Sequence, residues 1–147
     1  MRKKLCNSII IRKLSPLESL LSAPSIWGAC SEVNRKLTNK FERFSFIGFA
    51  YHIFRQFFRN DYITITAYNN KEIAGFCMMR GSLVHRIIVK EKFRGAGIGS
   101  RLVPAEAALV YTPFRQHVDG FYMKLGFRQM KTDREGLYRL IRNTEKK

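Results

Sequence analysis

Apolar and polar residues alternate from Tyr62 to Tyr68 in a run rich in β-branched side chains, and after Asn69-Asn70-Lys71 an apolar run resumes from Ile73 to Met79. Strand-like patterning on both sides of a short polar turn predicts a β-hairpin. Leu83–Val89 is a further apolar run and predicts the next strand. Near the start, Ile9-Ile10-Ile11 within Asn7–Leu14 predicts a first strand, and Ser15-Pro16 ahead of Leu17–Leu21 supplies an N-cap and a first-turn proline for a short helix. Between them the period changes. Leu37, Phe41, Phe44, Ile47, Tyr51, Phe54 and Phe58 recur at three- and four-residue spacing, which predicts one or two helices with this stripe as core or as a dimer interface, interrupted at Gly48. After Val89 the pattern predicts a helix over Ile98–Ala107, a strand over Leu109–Thr112 stopped by Pro113, a helix over Gln116–Leu125, and strands over Phe127–Lys131 and Leu137–Ile141.

The junction between the strand at Leu83–Val89 and the next helix reads Arg94-Gly95-Ala96-Gly97-Ile98-Gly99-Ser100. The first N–H groups of a helix have no partner inside it and stand at the positive end of its dipole, so such a junction is an anion cradle. Glycine lets the backbone approach the anion closely, and Arg94 adds a charge-assisted donor. The spacing lacks the lysine of the common nucleotide-triphosphate loop and matches only two of the three glycines of the dinucleotide fingerprint, so a different phosphate ligand is indicated.

The pattern Arg-x-x-Gly-x-Gly opening a helix resembles the acetyl-CoA pyrophosphate loop of the GNAT superfamily of N-acyltransferases. Further on, Phe121-Tyr122-Met123-Lys124-Leu125-Gly126-Phe127 resembles the second signature of that superfamily, Phe-Tyr-x-x-x-Gly-Phe on a helix that runs into a strand. Both motifs occur in the family's order, and so do the predicted elements. The resemblance implies a mixed α/β (α+β) GNAT fold, a central sheet of about six to seven strands flanked by about four helices. It also implies acetyl-CoA as cofactor, held by Arg94, Gly95, Ala96, Gly97, Ile98, Gly99 and Ser100, with backbone groups at Ile88 and Val89 taking the pantetheine arm. By the same resemblance Tyr122 is the general acid that protonates the departing thiolate.

Removing a proton from the acceptor amine needs a base. Many relatives place a glutamate on the strand before the loop; here that strand has no carboxylate and carries His85. An imidazole titrates in the right range, which makes His85 the candidate ahead of His52 and His117, with a water-mediated route as the alternative. Gly75 and Cys77 on the preceding strand are candidates to line the acceptor side. Two positions depart from the family pattern: Arg115 and Val118 stand where an Asn and a small Ala are common, and arginine cannot cap a helix as asparagine does.

A chain of 147 residues with 46% hydrophobic content suits one core, so residues 1–147 are expected to be a single domain. No apolar run approaches the roughly 18 to 20 residues that span a bilayer, which points to a cytoplasmic protein without a membrane partner. Cys6, Cys30 and Cys77 show no paired spacing with histidine, so neither a zinc site nor a disulfide framework is expected. The charge is less ordinary. Lys and Arg number 27 against 11 Asp and Glu, a net +16, with eleven basic and three acidic residues in positions 1–60, far in sequence from the glycine loop. A few phosphates on a cofactor do not account for that excess. Besides a plain solvated surface, it favours an anionic acceptor or carrier, RNA such as aminoacyl-tRNA or an acidic protein, bound by a monomer or homodimer. Three functional classes follow: an N-acetyltransferase acting on a primary amine, a non-catalytic CoA- or nucleic-acid-binding module of the same fold, and an enzyme using another thioester donor.

Overall fold

The computed structural model describes residues 9–36, 45–112, 116–130 and 138–144. The strands are β1 (Ile9–Leu14), β2 (Tyr62–Asn69), β3 (Glu72–Arg80), β4 (Leu83–Val89), β5 (Leu109–Thr112), β6 (Arg128–Met130) and β7 (Tyr138–Ile141). They form one seven-stranded sheet in the order β1-β2-β3-β4-β5-β7-β6. The first four are an antiparallel meander, β2 read from alternation and the others from apolar runs in the sequence. β4 and β5 are parallel, and their register joins Leu83 to Leu109 and Val84 to Val110 only. Beyond Val84, β4 continues to Val89 along β3 without β5 beside it. The register of β3 with β4 shifts between Met78 and Met79, which leaves His85 as the extra residue of a bulge.

Four helices cover the faces: α1 (Pro16–Lys36), α2 (Phe46–Arg55), α3 (Ile98–Leu102) and α4 (Gln116–Lys124). One face carries α1 and α2 over a core that includes Ile26, Cys30, Phe49, Ile53, Phe76 and Met78. The other carries α3 and α4 over a core that includes Ile65, Cys77, Ile98, Leu102, Tyr122 and Phe127.

Local signals explain where the helices start. Ser15 and Glu18 form a reciprocal capping box, Glu18 N–H to Ser15 Oγ at 3.2 Å and Ser15 N–H to the Glu18 carboxylate at 2.8 Å. Ser45 caps α2 by accepting from Gly48 N–H at 3.0 Å. Three expectations need correction. α1 is not short: it runs 21 residues through Pro24, because burial of Ile26, Ala29 and Cys30 on the sheet outweighs the hydrogen bond the proline removes. Gly48 does not interrupt a helix but sits in the first turn of α2. α3 stops at Leu102 and not at Ala107, since Pro104 forces Val103 out of the helical region (φ −87°, ψ 106°).

A fourth correction concerns the aromatic stripe. Leu37, Phe41 and Phe44 lie outside the described residues, but Ile47, Tyr51, Phe54 and Phe58 are all solvent-exposed. α2 instead turns Phe49, His52 and Ile53 to the sheet. Polar anchors hold that orientation. Gln56 donates to Thr64 Oγ1 at 2.9 Å and accepts from Ser19 Oγ at 3.0 Å, and His52 Nε2 lies 3.0 Å from the Ile63 carbonyl. Rotating α2 to bury the stripe would break this buried network, strand the Thr64, Ser19 and Ile63 partners, and expose Phe49 and Ile53 in exchange.

Candidate acyl-transfer site

The glycine loop follows β4 and a 3-10 turn over Glu91–Phe93. Gly95 and Gly97 have φ of 78° and 74°, a left-handed backbone that other residues adopt at a cost, and open space faces both. Gly97 is the N-cap of α3, so the first N–H groups of that helix point outward over the loop. Behind the loop Gly99 rests on Phe121: a Cβ there would lie 3.1 Å from the ring. Arg94 donates from Nε to the Val89 carbonyl at 3.1 Å, which folds its guanidinium over the end of β4. Ile98 is buried and anchors the helix, while Arg94, Gly95, Gly97 and Ser100 are exposed. The loop fits a pyrophosphate: open in front, glycine where the backbone must come close, donors on the backbone and a cation at its edge.

Alternation along β4 decides which of its backbone groups are accessible. Lys90 N–H bonds to the Ala74 carbonyl at 2.9 Å. Two residues back, Ile88 therefore faces β3 and pairs with Phe76, whereas Ile87 and Val89 direct their N–H and C=O groups to the edge that β5 leaves open. Ile87, which the family pattern had not singled out, shares that edge with Val89, and Ile88 is committed to the sheet.

Tyr122 is 4% exposed, on α4, with ring centroids 5.0 Å from Phe121 and 5.5 Å from Phe127, both edge-on. Burial raises the pKa of its phenol, the nearby Cys77 adds to this, and Arg86 opposes it. The second signature has a mechanical origin. Gly126 (φ 86°) closes α4 in a Schellman turn, with Phe127 N–H bonded to the Tyr122 carbonyl at 3.1 Å and Gly126 N–H to that of Met123 at 3.0 Å. The Phe127 ring then packs on Tyr122 as the hydrophobic partner of that turn.

Arg142 locks this end of the helix. It donates to the carbonyls of Leu125 (3.0 Å), Ala107 (3.0 Å), Pro104 (2.7 Å) and Ala105 (3.2 Å), and its guanidinium lies 4.7 Å from the Phe127 ring centre. Charge-assisted bonds to carbonyls left open after α3 and α4 are worth more than neutral ones. Arg142→Met is expected to lower the unfolding free energy by about 2 to 3 kcal/mol, read as an earlier urea midpoint with unchanged slope.

His85 stands on the other face, exposed, its ring 5.9 Å from His52 and 6.4 Å from Tyr62. Partial burial, then the charge of Arg80, hold its pKa below that of an ordinary imidazole. His52 is buried and pushed down to about 4, mainly by that burial. The His117 side chain lies outside the described residues. Gly75 and Cys77 do not line an acceptor surface: a Cβ on Gly75 would meet Leu102 at 3.1 Å and the Ile88 carbonyl at 2.6 Å, and Cys77 is buried in the α3 and α4 core. Among the described residues no group of three or more potential ligands could hold a metal, and no helix is long and apolar enough to cross a membrane.

Residues 60–129 match the family model of the acetyltransferase (GNAT) domain. No curated protein matches the chain by sequence. Among solved structures, the PaiA N-acetyltransferase of Thermoplasma acidophilum, crystallised with coenzyme A, superimposes with a TM-score of 0.68 at 20% identity over 92% of this chain and 99% of that one. An acetyltransferase from Thermus thermophilus gives 0.66 at 12% identity, covering 93% and 97%. The ribosomal-protein-S18-alanine N-acetyltransferase of Escherichia coli gives 0.60 at 15% identity, covering 90% of each. The match over residues 60–129 and these superpositions together give the chain the GNAT acetyltransferase fold.

Proposed function

We propose that the chain is an acetyl-CoA-dependent N-acetyltransferase that moves an acetyl group to a primary amine by direct attack on the thioester. The observation that carries this reading is the parting of β4 from β5 after Val84, with the glycine loop at the far end of β4. Bound acetyl-CoA would supply an acetyl group already activated as a thioester. Arg94 and the backbone of Gly95–Ser100 would hold its pyrophosphate, and the backbone groups of Ile87 with the N–H of Val89, whose carbonyl already accepts from Arg94, would take the pantetheine amides. Tyr122 keeps its proton at neutral pH because burial disfavours the phenolate, and it delivers that proton to the departing sulfur. The same burial pushes the neighbouring Cys77 thiol up to about 12, so the surroundings of the phenol favour protonated, neutral groups.

His85 takes the proton of the acceptor amine from the α2 side. Its lowered pKa leaves it unprotonated at neutral pH, the state a base requires. Activity limited by His85 rises with pH as the imidazole loses its proton, so the acid limb of the rate profile lies below about 6.5, and His85→Ala removes that limb.

The net charge of +16 supports an acceptor carried on a polyanion, aminoacyl-tRNA or an acidic protein. The test is incubation of the protein with acetyl-labelled acetyl-CoA and a total cell extract, followed by separation of RNA, protein and metabolites. Label in the RNA or protein fraction is the expected result. Acetyl-CoA binding without label in any fraction would leave a non-catalytic CoA-binding module.

A further inference from the structure

α2 is apolar nearly all the way round, and only one side of it meets the sheet. On its outer side Phe54 and Phe58 are 59% and 68% exposed, and their rings lie 4.9 Å apart, tilted by 50°. The adjacent Phe57 is also exposed. Tyr51, one helical turn before Phe54 on the same exposed stripe, and Tyr62 carry guanidinium groups. Arg55 lies 5.6 Å from the ring centres of both Tyr51 and Tyr62, and Arg80 lies 5.5 Å from that of Tyr62 on its own side. Arg55 Nε is buried without a hydrogen-bond partner. Asp61 is shared by Arg59 at 2.8 Å and Arg80 at 3.8 Å, so the cluster of Arg55, Arg59 and Arg80 retains a positive excess around that one carboxylate.

We infer that this surface binds single-stranded nucleic acid, with unpaired bases on Phe54 and Phe58 and phosphates on Arg55 and Arg80. Exposed rings alone would suit any apolar partner; the charge selects among them. A second copy docked about a two-fold axis would bring the same arginines against each other, and a neutral apolar peptide would leave them unmatched. A duplex satisfies the charges but keeps its base faces stacked away from the rings. A single strand offers phosphates and free base faces together. The surface also leads to the proposed acceptor side, because Tyr62 and Arg80 adjoin His85. In that respect the inference rests on the transferase reading, naming what carries the amine; the binding itself does not depend on it.

The test is fluorescence anisotropy with a labelled single-stranded RNA of about 12 nucleotides, its duplex, and polyglutamate of similar charge, each over a salt series. The single strand is expected to bind roughly tenfold or more tightly than either competitor. Phe54→Ala with Phe58→Ala, both at exposed positions, should weaken the single strand by roughly 10- to 100-fold and the duplex little. Arg55→Gln should flatten the logarithmic salt slope by about 0.7, one phosphate's worth. Equal binding of strand and duplex that ignores the ring changes would overturn the inference. So would sedimentation showing a dimer that needs these rings. An acetyl-CoA isotherm on the same sample separates the two readings, since RNA selectivity without acetyl-CoA binding would support the surface and defeat the transferase.

Discussion

Gly97→Glu is expected to lower acetyl-CoA affinity by about 100-fold or more, close to abolition in calorimetry. Gly97 has φ 74° at the N-cap of α3 with open space before it, so a glutamate there puts a carboxylate where the loop presents its donors to an anion. Repulsion then replaces attraction at the same point. The left-handed backbone also strains any residue with a Cβ, so Gly97→Asn serves as the control, because asparagine tolerates that region and brings no charge. The asparagine variant should fold and retain most of the binding. In thermal melts, ligand at about 100 times its Kd stabilises the wild type by about 2.7 kcal/mol, and Gly97→Glu should show no such upward shift. Equal acetyl-CoA affinity in the wild type and Gly97→Glu would move the pyrophosphate away from this loop.

Tyr122→Phe should lower kcat by roughly 10- to 1,000-fold while acetyl-CoA affinity changes little. The ring contacts with Phe121 and Phe127 do not use the hydroxyl, and the Schellman turn uses the Tyr122 carbonyl, so the variant keeps the helix end intact. What it loses is the proton that burial holds on the phenol. A kcat equal to wild type, with urea midpoints matching, would transfer the proton-donor role to another group.

Most of the candidate site was legible because its parts are local. The cradle is a run of glycines at a strand-to-helix junction, and Phe-Tyr-x-x-x-Gly-Phe encodes a left-handed cap, its two hydrogen bonds and the ring that packs on it. Neither needs distant residues to be recognised. Arg142 carried no such signal, since the carbonyls it binds belong to residues 17 to 38 positions earlier. On the open backbone edge only Val89 was named, and that by resemblance; Ile87 was hidden and Ile88 was named though it faces β3. The edge exists because β5 accompanies β4 for two residues only, and a strand's own composition does not say where its neighbour departs.

By itself the sequence determined the element types and some of their ends: the hairpin from Tyr62–Tyr68 and its turn, the start of α1 from Ser15, and the end of α4 from Gly126. Even the early stop of α3 was written locally in Pro104. The tertiary structure decided how long α1 continues and which side of α2 is buried. Periodicity marks a stripe without stating what it faces, and α2 carries two stripes, one of Ile47, Tyr51, Phe54 and Phe58 and one of Phe49, His52, Ile53 and Gln56. The second faces inward because Ser19 on α1, and Thr64 and the Ile63 carbonyl on β2, pair with Gln56 and His52 there. The physical reason is directional: apolar burial is satisfied by either stripe, whereas a buried polar group is satisfied only where its partner stands.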